Sequence, residues 1–276
     1  MLVSRVIVHL DTRVPALGPA LRAAYRLYEW RLRREVAGGA MPRHLGIILD
    51  GNRRYGELRG ISDTRALYGR GADKLDELLD WCGELGIPAV TLWAFSTDNL
   101  RRKPGEVLGI LAAIEEKLRH LAEAARAGHR TVRVRVVGQR AGLPASLLEA
   151  IRAAEAASAH HRGLCLTIAL AYGGRDEIAD AVRALLAQRL EMGDTLDRAI
   201  EAISTDAIGR HLYSADLPDP DLIVRTSGEA RLSGFLLWQS VYSEVYFSDV
   251  YWPAFRKIDF LRAIRSYQQR HRRYGL

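Results

Sequence analysis

Cysteine and lysine are both scarce in this chain. The two cysteines, Cys82 and Cys165, are far apart and each sits in an apolar stretch. Neither a disulfide framework nor a metal-ligand spacing can be built from them, so both are expected to be buried thiols in a reducing cytoplasm. Lysine occurs only at 74, 103, 117 and 257, so 36 of the 40 basic residues are arginine. Arginine dominance suits bidentate phosphate handling and equally suits a GC-rich genome. No apolar run approaches the roughly 18 residues of a membrane span. The stretch Val6-Ile7-Val8-His9-Leu10 is interrupted by Asp11 and Arg13 and makes a poor signal peptide. With a net charge of +7 and a pI near 9.6, the chain favours anionic partners: diphosphates, nucleic acid or an acidic membrane surface.

What is present fits one large α/β unit: 276 residues, 48% of them hydrophobic. Residues 1–42 differ from the rest. From Leu17 to Val36 apolar residues recur at helical spacing, with arginines and Trp30 interleaved. Such a helix either lies on an anionic membrane or packs on its own domain or a second subunit, the reading we favour. Gly38-Gly39 and Pro42 punctuate the boundary. Beyond it, segments of strand and helix character alternate. Strands are expected at 46–50, 89–95, 132–136, 164–172, 222–224 and 245–247. Helices are expected at 71–86, 105–126, 144–158, 175–192, 195–213 and 256–270. Strands apolar on both faces that alternate with helices imply a mostly parallel sheet of about six strands, covered on both sides. Residues 43–276 read as a single domain, preceded by a helical extension.

Three clusters carry chemistry. The first strand ends in Asp50-Gly51-Asn52-Arg53-Arg54. A carboxylate can hold a hard cation, a glycine admits a ligand close to the backbone, and arginine forks match phosphate oxygens. Together they suggest a metal-diphosphate site at a strand's carboxyl end; the bland alternative is a polar turn with solvated arginines. The second strand leads into Phe95-Ser96-Thr97-Asp98-Asn99 and Arg101-Arg102, where Asn99 either positions a ligand or closes an ordinary turn. The third cluster runs from Asp221 through Arg225, Thr226, Ser227, Gly228, Glu229 and Arg231 to Ser233. Arg225, Arg231 and Ser233 could wrap one diphosphate, or form a structural ion-pair network with Glu229. Glu244 follows in an apolar, aromatic context that demands a partner, either a metal or an arginine; with a metal, Asp50 and Glu244 are candidate ligands for one Mg²⁺.

These motifs, together with Tyr172-Gly-Gly-Arg175 and Trp238-Gln239, occur in order, and the stretch 43–275 resembles the cis-prenyltransferases, the family of undecaprenyl and Z-farnesyl diphosphate synthases. It looks most like the actinobacterial short-chain branch, whose members also carry an N-terminal extension. The resemblance implies an Mg²⁺-dependent homodimer that condenses isopentenyl diphosphate with an allylic diphosphate. It implies that Asp50 is the essential carboxylate and that Asn99 assists the condensation. Gly51, Asn52, Arg53, Arg54, Arg65 and Tyr68 would surround the allylic diphosphate. Arg225, Arg231 and Ser233 would hold isopentenyl diphosphate, and Glu244 would reach the metal across the dimer. Tyr55, Ala94, Arg102 and Glu106 match further substrate and tunnel positions. The proton acceptor stays open between a phosphate oxygen and Asp50.

The chain departs from the family pattern at Tyr68, where many members have histidine; a phenol still hydrogen-bonds phosphate but is no cation at neutral pH. Tyr55 replaces a tryptophan and Leu100 an aromatic residue. Ala94 is small, which goes with longer products, whereas the overall resemblance implies short ones; alternation would turn Trp93 and Phe95 to the other face. The walls of the product tunnel are expected from 71–86, 89–95 and 105–126. Rival classes fit less well. A haloacid-dehalogenase-type phosphatase needs a second aspartate where Asn52 stands. A dinucleotide-binding fold needs a Gly-rich turn straight after the first strand. A non-catalytic partner subunit would lack Asp50 or the Arg225–Arg231 cluster. A nucleic-acid binder needs a contiguous basic face, and here only Arg270 to Arg273 form a basic tail, so no nucleic-acid partner is expected. The expected location is the cytoplasm, with peripheral contact to the membrane left open.

Overall fold

The computed structural model describes residues 19–270, and side chains from residue 23 onward. The Val6–Leu10 stretch and the end of the basic tail lie outside the described residues. Six strands form one sheet in the order β3-β4-β2-β1-β5-β6. They are β1 (His44–Ile48), β2 (Ala89–Ser96), β3 (Arg133–Val137), β4 (Cys165–Tyr172), β5 (Leu222–Arg225) and β6 (Glu244–Phe247). Every pairing is parallel. All carboxyl ends therefore point to one rim. The register sets Ile48 beside both Trp93 and Arg225, so the chain leaves β1, β2 and β5 side by side.

Nine helices accompany the strands among the described residues: α1 (Pro19–Ala37), α2 (Asn52–Arg59), α3 (Thr64–Leu85), α4 (Pro104–Arg126), α5 (Ala145–Ser158), α6 (Gly174–Glu191), α7 (Leu196–Glu201), α8 (Thr205–Gly209) and α9 (Lys257–Gln269). The sheet has a different core on each face. Leu45, Ile47, Leu92, Ile168 and Val224 join residues of α3, α4, α5 and α9 in the main apolar cluster. Their neighbours Ile48, Ala169 and Ile223 form a smaller cluster with Tyr172, Phe235 and Leu236. Burial on both faces explains why these strands read as continuous apolar runs.

Three elements differ from the sequence expectation. Helix α2 was not anticipated, because its eight residues carry too few apolar positions to show a period. The single helix expected at 195–213 is two short ones, each opened by a capping hydroxyl, Thr195 and Ser204. Helix α3 also starts earlier than expected, where the Asp63 side chain accepts from the amides of Arg65 and Ala66.

Helix α1 packs on α9. Leu32 and Val36 are fully buried in the main core, and Gln268 Nε2 donates to the Val36 carbonyl at 2.9 Å. Its opposite face exposes Leu27 and Trp30 among arginines. No described helix is long and apolar enough to cross a membrane.

Candidate active site

Asp50 lies two residues past β1 and is fastened by the start of the loop after β5. Its amide donates to Thr226 Oγ1 at 2.9 Å, and that hydroxyl lies 2.7 Å from the Asp50 carbonyl. Arg225 donates to Asp50 Oδ2 from Nη2 at 2.7 Å and from Nε at 3.3 Å. The Gly51 amide donates to Oδ1 at 2.6 Å. Burial pushes the Asp50 carboxyl upward, but the hydrogen bonds and positive charge of Arg225 outweigh it and hold it below the usual aspartate range. The group is therefore a carboxylate at any physiological pH. Gly51 takes φ 97°, and a Cβ there would sit 2.5 Å from Tyr251. No other residue fits that turn without strain.

Helix α2 begins immediately afterwards. No side chain caps its first amides, so they face the rim free to bind an anion, with the helix dipole in support. Arg53 and Arg54 ride on this first turn. Opposite them, Arg225 Nη1 donates to Ser233 Oγ at 2.7 Å, and Arg231 Nε donates to the same oxygen at 3.1 Å. Glu229 pairs with both Arg54 and Arg231. It thus joins the two arginine groups, a role that the sequence offered only as the structural alternative. The third wall comes from β2 and α3. Arg102 Nη1 donates to Tyr68 Oη at 3.0 Å and to Glu106 Oε1 at 2.8 Å. Asn99 closes a capping box with Ser96, accepting from the Ser96 amide at 3.1 Å. Its side-chain oxygen is thereby committed to the turn, and its amide nitrogen is the group left for a ligand.

These walls enclose a cleft of about 580 Å³. Asp50, Gly51, Asn52, Arg53, Arg54, Tyr68, Ala94, Asn99, Arg102, Arg225, Arg231 and Ser233 all line it. The cleft therefore gathers five guanidiniums and an uncapped helix end around Asp50, with Glu57 and Glu229 also on its walls, enough to hold two polyanions. Asn52 Oδ1 is buried at the inner edge beside Gly71, without a hydrogen-bond partner.

Comparison with known proteins agrees with this geometry. Residues 48–275 match the family model described as "Putative undecaprenyl diphosphate synthase". The chain belongs to the cis-prenyltransferase family. It is 53% identical over 249 residues to an isoprenyl transferase of Deinococcus radiodurans, covering 90% of each chain. It is 51% identical to a (2Z,6E)-farnesyl diphosphate synthase of Thermobifida fusca, over 91% of this chain and 96% of that one. Among solved structures, the lavandulyl diphosphate synthase of Lavandula x intermedia in complex with dimethylallyl diphosphate superposes with a TM-score of 0.78. That match has 32% identity and covers 86% of this chain and 99% of the other. The protein is a transferase of the isoprenyl diphosphate synthase type.

For a cis-prenyltransferase, the space below the cleft matters as much as the cleft. An apolar pocket of about 70 Å³ continues inward, sharing Leu49, Asn52, Tyr68, Ala94 and Ile110 with it. Its walls come mainly from α3, β2 and α4, with Ile168 of β4 and Trp252 in addition. Trp252 Nε1 donates to the Gly71 carbonyl at 2.8 Å, and its amide donates to the Asp50 carbonyl at 3.0 Å. One residue thus ties the pocket wall to the Asp50 loop. The sequence reading missed Trp252, which no motif singles out, and gave Thr226 no role of its own within its cluster.

Three expectations need adjusting. The alternation around Ala94 breaks, because the β2–β4 register shifts between Trp93 and Phe95. Trp93 packs in the smaller cluster, stacked on Phe235, whereas Phe95 joins the main cluster beside Ala94. Arg65 does not line the cleft; it pairs with Glu116 at 2.9 Å in an outer groove between α3 and α4. Glu244 opens β6 in register with Leu222, at the rim opposite Asp50, and pairs with Arg270 at 2.6 Å. Strand spacing puts it at least about 14 Å from the end of β1, so one chain cannot bring both carboxylates to one ion. Tyr55 is buried in the core behind the cleft, and Glu106 stands behind Arg102 and Arg53.

Proposed function

We propose that the protein condenses isopentenyl diphosphate with an allylic diphosphate, geranyl or similar, to give a Z-configured prenyl diphosphate, with the farnesyl length favoured. One observation carries this reading: two arginine-lined anion sites flank Asp50 in a single cleft that opens into an apolar pocket. A diphosphate head and a hydrocarbon tail need that combination. The (2Z,6E)-farnesyl diphosphate synthase relative supports the short product; the small Ala94 side chain supports a medium or long one.

In this reading Arg53, Arg54 and the first amides of α2 hold the allylic diphosphate, and Arg225, Arg231 and Ser233 hold that of isopentenyl diphosphate. The C1–O bond of the allylic substrate breaks as the isopentenyl double bond attacks C1, and the diphosphate departs as an anion. Guanidiniums and helix amides are already aimed at that growing charge, which is where electrostatic catalysis is most effective. A proton then leaves the former isopentenyl carbon to form the new double bond. Arg225 keeps Asp50 ionised and weakly basic, which favours a diphosphate oxygen as acceptor.

The donor set fits Mg²⁺. One carboxylate beside bound phosphate oxygens is the usual magnesium arrangement, and no described cluster of three or more His, Cys, Asp and Glu offers an all-protein cage. Asp50 would hold the ion, which when bound would neutralise the leaving diphosphate. Glu244 could contribute to that ion only from another copy of the chain, in the homodimer that the resemblance implies.

Purified protein given isopentenyl diphosphate, Mg²⁺ and, in turn, dimethylallyl, geranyl and E,E-farnesyl diphosphate tests this reading. A Z-prenyl product is expected, and its length decides between the two chain-length readings. Absence of turnover with every starter would overturn it in favour of a non-catalytic partner subunit.

A further inference from the structure

The apolar pocket ends on a charge. Lys117 of α4 is only 7% exposed, and its Nζ lies 2.5 Å from Asp76 Oδ2 on α3. Every other residue of the deep end is apolar: Leu75, Leu92, Ala113, Ile114 and Ile168. Ile110 stands at the mouth, where cleft and pocket meet. Seven residues of helix separate it from Lys117, a depth of about 10 Å.

Beyond Lys117 lies the outer groove, about 1070 Å³, bounded by α3 and α4. Three residues line both spaces: Ala72, Ala113 and Lys117. Two of them are alanines, so the lysine stem is the only bulk at the partition. The partition is also held electrostatically. Asp76 is fixed from its other side by Arg130, whose guanidinium lies 3.7 Å from Asp76 Oδ1 and donates to the Asp76 carbonyl. An apolar chain that advanced to this point would have to pull a largely buried ammonium from its counter-ion, which is strongly unfavourable without a replacement partner.

Resting on the prenyl-transfer reading, we infer that the Lys117–Asp76 pair is a plug that stops elongation and so sets product length. Ala94 leaves the upper pocket open, and Lys117 closes it lower down. The small residue in β2 and a short product are then compatible. Elongation proceeds until the tail of the chain meets the ion pair.

The test is the product distribution from excess isopentenyl diphosphate and, in turn, dimethylallyl, geranyl and E,E-farnesyl diphosphate, for the wild type, Lys117→Ala and Ala113→Leu. Lys117→Ala removes the stem and opens the partition, while Asp76 keeps Arg130 as a counter-ion. Its products are expected to lengthen by one or more isoprene units. Ala113→Leu narrows the same point and is expected to shift the distribution toward shorter products. Thermal unfolding reports whether each variant is folded, and if Lys117→Ala is not, Ala113→Leu decides. A folded Lys117→Ala enzyme, or failing that a folded Ala113→Leu enzyme, with the wild-type distribution would overturn the plug. A wild type that makes no prenyl product at all would instead overturn the reading on which the plug rests.

Discussion

Asp50 and Arg225 are 175 residues apart in the chain and 2.7 Å apart in space. Strands β1 and β5 are adjacent and parallel, so their carboxyl ends deliver the two side chains to one point. The pair serves two purposes. It keeps the carboxylate ionised, and it holds the guanidinium beside Ser233, where the proposed function needs it for a phosphate.

Arg225→Ala is expected to lower kcat/KM by about 10²-fold, in the range of a lost oxyanion donor. Arg225→Lys is expected to recover only part of that, because an ammonium cannot reproduce the fork. Steady-state kinetics on both variants check this; equal activity of the lysine variant and the wild type would argue against a bidentate role.

The two anion sites should separate kinetically. Arg231→Ala and Ser233→Ala are expected to raise KM for isopentenyl diphosphate by about tenfold, one charge-assisted bond each, with little effect on KM for the allylic substrate. Arg53→Ala should do the reverse. Varying each substrate against saturating partner reads out the split.

Removal of divalent metal with EDTA should abolish turnover, and Mg²⁺ should restore it. Because Asp50 is already paired with Arg225, the unfolding temperature of substrate-free protein should hardly change on chelation. A large drop would point to a structural ion.

If Glu244 completes a site on a second copy, two inactive variants should complement. Mixing Asp50→Ala with Glu244→Ala subunits, after dissociation and reassociation, is expected to regain a measurable fraction of activity. A mixed dimer carries one cleft with an intact Asp50 facing an intact Glu244. Full activity of Glu244→Ala by itself would place Glu244 outside the reaction, and no regain in verified mixed dimers would rule out its action across the dimer.

The pH dependence follows from Asp50. Its folded-state pKa lies below the ordinary aspartate value. Its contribution to stability is complete above the ordinary range and is lost as pH falls through the lower folded value. Denaturant midpoints measured from pH 6 downward should fall less steeply for Asp50→Asn than for the wild type in that acid window.

Much of this protein was determined locally. The strand and helix alternation was legible because burial imposes a period on each segment. Asp50, Gly51 and the arginines of α2 were legible because five adjacent residues hold them. Helix α2 was not, being too short and polar for a period to show. What the chain order could not state was who stands beside whom. The sheet order brings β5 next to β1, which joins Arg225 and Thr226 to Asp50. It also sends Glu244 to the far rim. A register shift turns Phe95 toward the face that alternation denied it. In sequence Lys117 is one more charge on an amphipathic helix, and only the packing of α4 on α3 turns it inward to close the pocket. The reason is physical: propensity and periodicity act over a few residues, whereas strand pairing and helix packing are settled by contacts between segments distant in the chain.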